Sequence, residues 1–171
     1  MKASDVVKIL SDQSQAGGFA EIRAGERVSD IIANAAQASG IDVSEFQAII
    51  DGGGSGILPE EAGGKFEGWL EPGSYNAQNK SAEDIIKSMV DARIAKLDDL
   101  GVPTGSERER ILIIASIAES EVGSDKYYGQ VARVILNRID SDMALGMDTT
   151  VAYGLGISAS RLTDDQLNDD S

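Results

Sequence analysis

The sequence contains no cysteine and no histidine among its 171 residues. These two absences exclude disulfides, thiol nucleophiles and Ser-His-Asp triads, and they remove the usual ligands of protein zinc sites. Carboxylates, hydroxyls, lysines and arginines are the side chains left for chemistry. Carboxylate catalysis is therefore the first enzyme class that the composition favours, and we expect no metal site.

Basic residues are scarce as well. The chain has 15 Lys and Arg against 29 Asp and Glu, which gives a formal net charge of −14 at pH 7. Nucleic-acid binding requires a basic stripe that neutralises phosphates, and the sequence has none, so we predict no nucleic-acid partner. A neutral or zwitterionic polymer such as a glycan is compatible with this charge, although a role in solubility alone is the simpler explanation.

Long apolar runs and aromatic residues are also few. No run approaches the ~20 residues needed to span a membrane, and no signal peptide opens the chain. Aromatic residues make up 5% of the chain and hydrophobic residues 42%, so the core must consist mainly of Ile, Leu, Val and Ala. The polar ending at 164–171 favours a fragment that lacks its membrane anchor over a complete cytosolic protein.

The pattern of strands and helices predicts an α+β fold in three parts. Residues 1–18 are predicted to form a short helix near 4–10 and a linker. Residues 19–76 are predicted to form a small βααβ unit, and residues 81–171 a mainly helical domain. The boundary is therefore expected in the loop between 76 and 81.

The βααβ unit contains a strand-like segment and a glycine-rich segment. Its second strand is predicted within 67–75, where a Pro-Gly pair makes a turn. The glycine-rich segment 51–56 lacks the Gly-Lys-Ser/Thr of a phosphate loop, and no apolar strand leads into it. We therefore predict a flexible surface loop there rather than a nucleotide site.

Several helix ends can be placed from capping residues. Gly40 supplies the stop of the first helix in the βααβ unit, and Ser44 is predicted to cap the second. Ser81 and Asp84 form a capping box at the start of a helix predicted to run to Leu100.

The segment 111–118 is apolar around nearly its whole circumference, which predicts a helix buried at the centre of a domain. Glu119 and Glu121 close this helix. They lie about 200° apart around it, so a glycosidase with two converging carboxylates is excluded. Burial and the negative end of the helix dipole are expected to raise the pKa of an acid here, as a general acid requires. The sequence pattern alone does not show which of the two glutamates would be catalytic. It is also compatible with two solvated glutamates that simply end the helix.

Three motifs identify a family resemblance, in matching order and spacing. Ile114-Ala-Ser-Ile-Ala-Glu119-Ser-Glu121 resembles the Ala-Ser-Ile-x-Glu-x-Glu signature of the YceG-like family, the endolytic murein transglycosylases. The segment 66–75, Phe-Glu-Gly-Trp-Leu-Glu-Pro-Gly-Ser-Tyr, is similar to the family's Leu-Glu-Gly-x-Leu-x-Pro-x-x-Tyr. The segments 134–138 and 148–154 resemble its Val-Phe-x-Asn-Arg and Asp-Pro-Thr-Val-x-Tyr-Gly blocks.

The resemblance implies a LysM-like βααβ module followed by a lysozyme-like catalytic domain that is incomplete at its C-terminus. It implies that Glu119 is the catalytic residue, and that Asn137, Asp148 and Tyr153 line the substrate cleft. A helix C-terminal cap, a turn-former and a packing ring are equally good explanations of these last three. In the matching blocks Thr149 replaces a usual proline, and Glu71 replaces a usual aromatic residue.

The chemistry implied by the resemblance needs one carboxylic acid and no cofactor. The acid protonates the glycosidic oxygen between N-acetylmuramic acid and N-acetylglucosamine in peptidoglycan. The resulting carboxylate then takes the proton of the C6 hydroxyl, and a 1,6-anhydro ring closes. The family also implies a parent protein anchored in the membrane, action on its extracytoplasmic face, and contacts with cell-wall synthesis and division proteins. Because the family's C-terminal segment is absent, we expect weak or no activity from these residues alone.

Two alternatives remain open at this point. Members of the family have carried the label aminodeoxychorismate lyase, a reaction that uses pyridoxal phosphate on a lysine. The sequence offers neither a phosphate cradle nor a lysine in an apolar stretch, so this alternative is disfavoured. The other alternative is a non-catalytic module that binds glycan through the LysM-like unit.

Overall fold

The computed structural model of the chain describes residues 18–167, so the helix predicted near 4–10 lies outside the described residues. The fold is dominated by helices and has a two-stranded sheet, which confirms the α+β class. The elements in chain order are β1 (Phe19–Ile22), α1 (Val28–Ser39), α2 (Val43–Asp51), β2 (Gly73–Asn76), α3 (Ala82–Asp99), α4 (Ser106–Glu121), α5 (Tyr128–Asp140), α6 (Asp148–Gly154) and α7 (Asp164–Leu167), with single turns of 3-10 helix at Glu60–Ala62, Asp125–Tyr127 and Ala159–Arg161.

The sheet joins the two ends of the βααβ unit. Strands β1 and β2 are antiparallel, with Phe19 opposite Asn76 and Ile22 opposite Gly73. The second strand is shorter than predicted, because residues 67–70 form turns in which Gly68 has a φ of 81°. The predicted order of strand, two helices and strand is thus the order in the structure.

The chain divides into two compact units, and the division lies inside α4, between Glu109 and Arg110. The sequence pattern predicted this boundary in the loop between 76 and 81. The difference arises from α3, which packs its apolar side into the core of the first unit instead of starting a new one. Residues from α3 and from the βααβ unit together form this core: Ala20, Ile22, Ile31, Ile32, Ala35, Phe46, Ile57, Phe66, Leu70, Ala77, Ala82, Ile85, Ile86, Met89 and Val90.

The glycine-rich segment 51–56 lies mostly at the surface, but Gly54 packs against this core. Gly54 is buried and has a φ of 61°. A Cβ at Gly54 would lie 2.8 Å from Cε2 of Phe66, which is itself 2% exposed. Glycine therefore meets two requirements at this position, a left-handed backbone and close contact with a buried ring.

The helix caps agree only in part with the predictions. Ser81 Oγ accepts from the Asp84 amide at 3.1 Å, and the Asp84 carboxylate accepts from the Ser81 amide at 3.4 Å. The predicted capping box is thus confirmed, as is the left-handed stop at Gly40. The predicted cap of α2 is wrong by two residues, because Asp42 is the N-cap and accepts from the Ser44 amide at 2.8 Å. The helix therefore begins two residues earlier than predicted, and the Asp42 carboxylate satisfies an orphan N–H of its first turn.

Helix α4 is not the buried helix that the sequence predicted. Leu112 and Ala118 are buried, but Ile111 and Ile113 are 37% and 51% exposed. A helix that is apolar on every side is buried only where other elements pack on every side. The helices that follow it in the second unit are amphipathic or short, and they bury chiefly Ile135 and Ala152. Within residues 18–167, no helix is long and apolar enough to cross a membrane.

Candidate active site

Glu119 lies in the last turn of α4, with its side chain at the surface. One turn earlier on the same side, Ala115 and Ser116 are exposed as well. The hydroxyl of Ser116 donates to the Ile113 carbonyl at 2.8 Å, and that of Ser120 donates to the Ser116 carbonyl at 2.6 Å. These serines are therefore occupied by the helix backbone, and Glu119 is the acid on a face with small neighbours that leave room for a ligand.

The surroundings of Glu119 differ from the expectation in one respect. The sequence analysis placed this glutamate against a buried apolar helix, whereas both the glutamate and much of the helix surface are exposed. Glu119 is therefore a solvent-exposed carboxyl and is not enclosed by apolar side chains.

Glu121 has a different environment from Glu119. It is half-buried, and its Oε1 accepts a hydrogen bond from Oγ1 of Thr149. The two glutamates lie two residues apart in one helix, and so about 200° apart around its axis. Glu121 is committed to a structural contact, and Glu119 is left as the acid available to a ligand at this helix end.

Asp148 and Tyr153 both belong to the short helix α6. Asp148 is its first residue and is exposed, and a carboxylate in the first helical turn interacts favourably with the helix dipole. Tyr153 is 56% exposed, so it is not the half-buried packing ring that was the alternative explanation. Thr150 Oγ1 donates to the Met147 carbonyl at 2.6 Å and closes the first turn of this helix.

Asn137 lies in the last turn of α5, where its side chain is exposed and its carbonyl accepts from the Ser141 amide at 3.1 Å. The next residue, Arg138, donates from Nη1 to the Leu145 carbonyl. The Arg138 carbonyl in turn accepts from the Met143 amide at 2.8 Å. Arg138 thus fixes the loop that leads from α5 to α6, a role that the sequence analysis missed although the Asn-Arg pair was part of a motif.

These contacts show which predicted site residues the structure brings towards one another. The Glu121–Thr149 hydrogen bond joins the end of α4, which carries Glu119, to the start of α6, which carries Asp148. Asn137 is next to Arg138, whose side chain bonds to the Leu145 carbonyl in the loop that leads to α6. Tyr153 lies five residues after Asp148, about 140° further around α6. The substrate-binding roles of Asn137, Asp148 and Tyr153 stay predictions.

The motif at 66–75 lies in the first unit and serves packing. Trp69 is fully buried, and its Nε1 donates to Oε2 of Glu109 at 2.8 Å. The Tyr75 hydroxyl donates to the Glu71 carbonyl at 2.6 Å. Burial raises the pKa of Tyr75 to about 12, with a further contribution from the Glu71 charge that Arg93 partly offsets.

Glu71 itself forms an ion pair with Arg93, with 2.9 Å between Oε2 and Nη1, and each side chain is 21% exposed. This partner explains why a glutamate is tolerated at a position where the family usually has an aromatic residue. No group of three or more acidic side chains that could hold a metal ion occurs in the part of the chain that the structure describes.

Comparison with known proteins gives the family of the chain. The sequence profile of the YceG-like family matches residues 1–171. The chain belongs to the YceG-like family, as its three motifs predicted. The chain is 30% identical over 110 residues to a protein of Bacillus subtilis (strain 168) named endolytic murein transglycosylase, a match that covers 61% of this chain and 31% of that protein. The chain thus spans about a third of the length of this relative.

A solved structure is similar over the whole chain. The crystal structure of a YceG-like protein from Listeria monocytogenes superposes with a TM-score of 0.70 at 24% sequence identity, covering 100% of this chain and 62% of that one. At this identity the likeness shows a shared fold and carries no statement about activity.

Proposed function

We propose that this chain is part of an endolytic murein transglycosylase, with Glu119 as its catalytic acid and base. The observation that carries the proposal is an exposed glutamate, beside small residues, at the position that matches the family's first signature glutamate. A relative with 30% identity named endolytic murein transglycosylase supports the same activity.

The proposed reaction uses one proton twice. The Glu119 carboxyl gives its proton to the glycosidic oxygen between N-acetylmuramic acid and N-acetylglucosamine, and the bond from C1 to that oxygen breaks. The Glu119 carboxylate then takes the proton of the C6 hydroxyl while O6 bonds to C1 and closes the 1,6-anhydro ring. The acid is regenerated, no water is consumed, and neither a metal nor a cofactor takes part.

We propose that Asn137, Asp148 and Tyr153 bind the glycan near this acid. All three side chains are exposed. The amide and the carboxylate offer hydrogen bonds to sugar hydroxyl and acetamido groups. The tyrosine adds an apolar face against which a sugar ring can pack. A lysozyme-like arrangement of the second unit, action on the extracytoplasmic face of the membrane, an anchored parent protein and cell-wall synthesis partners belong to the same proposal.

A second candidate function is glycan binding without catalysis by the βααβ unit, which we propose to be LysM-like. An open groove of about 430 Å³ lies between β1 and α1, with polar side chains from these two elements and the loop that joins them: Glu21, Arg23, Glu26, Asn34 and Gln37. Asn34 Nδ2 donates to Glu26 Oε2 at 3.2 Å, so part of this lining is already ordered. Such a surface fits a polymer of polar sugars.

The pyridoxal phosphate alternative is disfavoured by the lysines. A lysine that forms a Schiff base is typically desolvated or close to another cation. The lysines that the structure describes are exposed: Lys65, Lys80, Lys87, Lys96 and Lys126. Lys87 also pairs with Asp91 at 2.8 Å.

The product distinguishes the two candidate functions. The chain, extended by the C-terminal segment that its family carries, is incubated with purified glycan strands, and the products are analysed by mass spectrometry for 1,6-anhydro ends over long incubations. Anhydro ends that increase with time support the transglycosylase. Retention of strands by the chain without any new anhydro ends would support the binding module and contradict the transglycosylase.

A further inference from the structure

We propose that Thr149 and Glu121 are positioning residues, whose hydrogen bond holds the first turn of α6 against the last turn of α4. The inference rests on the proposed function, because the turns it joins carry Asp148 and Glu119. Neither residue touches the substrate in this account. Their effect on the reaction passes through the placement of the residues beside them.

The bond is well suited to hold two elements together. Glu121 and Thr149 are both half-buried, so water competes less for either group than it would at the surface. A hydroxyl that donates to a carboxylate makes a charge-assisted hydrogen bond, which is about twice as strong as a neutral one. The two residues are 28 positions apart in the chain, so the bond fixes a long-range contact and not a local turn.

The bond depends on a residue at which this sequence departs from the family motif. Thr149 replaces the proline that is usual at this position of the family motif. Proline has neither a side-chain hydroxyl nor a backbone N–H, so it cannot donate to Glu121. The threonine therefore supplies a contact that the usual residue cannot make.

Helix α6 depends on such contacts because it has 7 residues. An isolated helix of this length is unstable in water, so its position is set by what it packs and bonds against. Ala152 is its buried residue, and the Arg138 bond to the Leu145 carbonyl fixes the loop before it. The Glu121–Thr149 bond is the contact that places its first turn, and with it Asp148, relative to α4.

The test compares variants of Thr149 in the chain extended by the C-terminal segment that its family carries. Thr149→Val keeps the side-chain volume and removes the donor, whereas Thr149→Ser keeps the donor. Thr150→Val is the matched control, because the Thr150 hydroxyl bonds to the Met147 carbonyl within its own helix turn. Formation of anhydro ends from glycan strands and amide hydrogen exchange at 148–154 are measured for each.

We expect Thr149→Val to lower kcat about tenfold with little change in KM, since a misplacement of about 1 Å can cost up to 10²-fold in rate. Amides at the start of α6 should exchange faster in the same variant. Thr149→Ser should restore both properties to near wild type, and Thr150→Val should lower kcat less than Thr149→Val does.

A double-mutant cycle assigns the effect to the pair. If the bond is the cause, Glu121→Ala combined with Thr149→Val should be no slower than the worse of the two single variants. Additive losses, or unchanged exchange in Thr149→Val, would overturn the proposed bond. Faster exchange with unchanged kcat would overturn its positioning role. An active wild type whose Glu119→Gln variant is equally active would contradict the proposed function instead, which keeps the two failures distinguishable.

Discussion

Trp69 and Glu109 are joined by a hydrogen bond of 2.8 Å from the indole Nε1 to Oε2, across 40 residues of sequence. Trp69 is fully buried in the first unit, and Glu109 lies in the first turn of α4. Arg108, which is 3% exposed, adds a bond of 2.6 Å to Asp98 at the end of α3. The start of α4 is therefore fixed from two sides. The motif around Trp69 acts as an anchor for the start of α4 within the first unit.

The anchor predicts a stability cost for Trp69→Phe. The variant loses a hydrogen bond to a carboxylate and leaves space in a filled core, so we expect a loss of roughly 2–4 kcal/mol in the free energy of unfolding. Denaturant unfolding followed by circular dichroism measures it, because the variant has no tryptophan for fluorescence. Glu109→Gln keeps an acceptor for the indole and should lose under about 1 kcal/mol. Equal stability of Trp69→Phe and wild type would show that this anchor is not significant.

Tyr75 predicts how stability depends on alkaline pH. A tyrosine of the unfolded chain ionises near pH 10, whereas the pKa of folded Tyr75 is about 12. Between these values the unfolded state has released a proton that the folded state keeps, so the free energy of unfolding falls as pH rises. The contribution of Tyr75 to the free energy of unfolding is intact below pH 10, and about 2 kcal/mol of it is lost by pH 12.

The matched variant for this effect is Tyr75→Phe, which cannot ionise. At pH 8 it should be less stable than wild type by about 1 kcal/mol, because the bond to the Glu71 carbonyl is gone. As the pH rises from 10 to 12 that deficit should shrink or reverse, since wild type alone loses stability by this route. Unfolding curves at several pH values test it, and parallel pH profiles for the two proteins would contradict the account.

Gly54 predicts a difference between two similar substitutions. Gly54→Ala and Gly56→Ala both place a side chain on a left-handed backbone, with φ of 61° and 80°. That strain costs about 1–2 kcal/mol. A Cβ at Gly54 would also approach Cε2 of Phe66 to 2.8 Å, whereas a Cβ at Gly56 would meet no atom within 4 Å. We therefore expect Gly54→Ala to lower the free energy of unfolding by about 1–3 kcal/mol more than Gly56→Ala does. Equal melting temperatures for the two variants would show that the segment accommodates a side chain at Gly54 without an additional loss of stability.

Local chemistry predicted much of the first unit. The Ser81 capping box and the Gly40 stop depend on residues within one or two turns, and both are confirmed. Asp42 and Ser44 show the limit of this reasoning, because both are favourable N-cap residues and the backbone conformation decides at which of them the helix begins. The membership of α3 in the first core could not be predicted locally, since its apolar side would fit any complementary core.

The candidate site could be predicted from the sequence less well than the first unit. The position of Glu119 at a helix end follows from sequence pattern, but its choice over Glu121 came from the family signature. The apolar circumference of α4 predicted burial, yet Ile113 is 51% exposed, because burial depends on what packs against a helix and not on its own composition. The Glu121–Thr149 contact joins residues 28 positions apart and has no local signal.

The most direct test of the central claim compares Glu119→Gln with Glu121→Gln in the formation of 1,6-anhydro ends from glycan strands, both in the chain with the family's C-terminal segment restored. Glutamine is nearly isosteric with glutamate but cannot deliver or take the catalytic proton. Glu119→Gln should therefore lose about 10²–10⁴ in rate with an unchanged melting temperature. Glu121→Gln still offers an oxygen to Thr149 and should cost little by comparison. Wild-type rates from a normally folded Glu119→Gln, together with an inactive Glu121→Gln, would contradict the assignment.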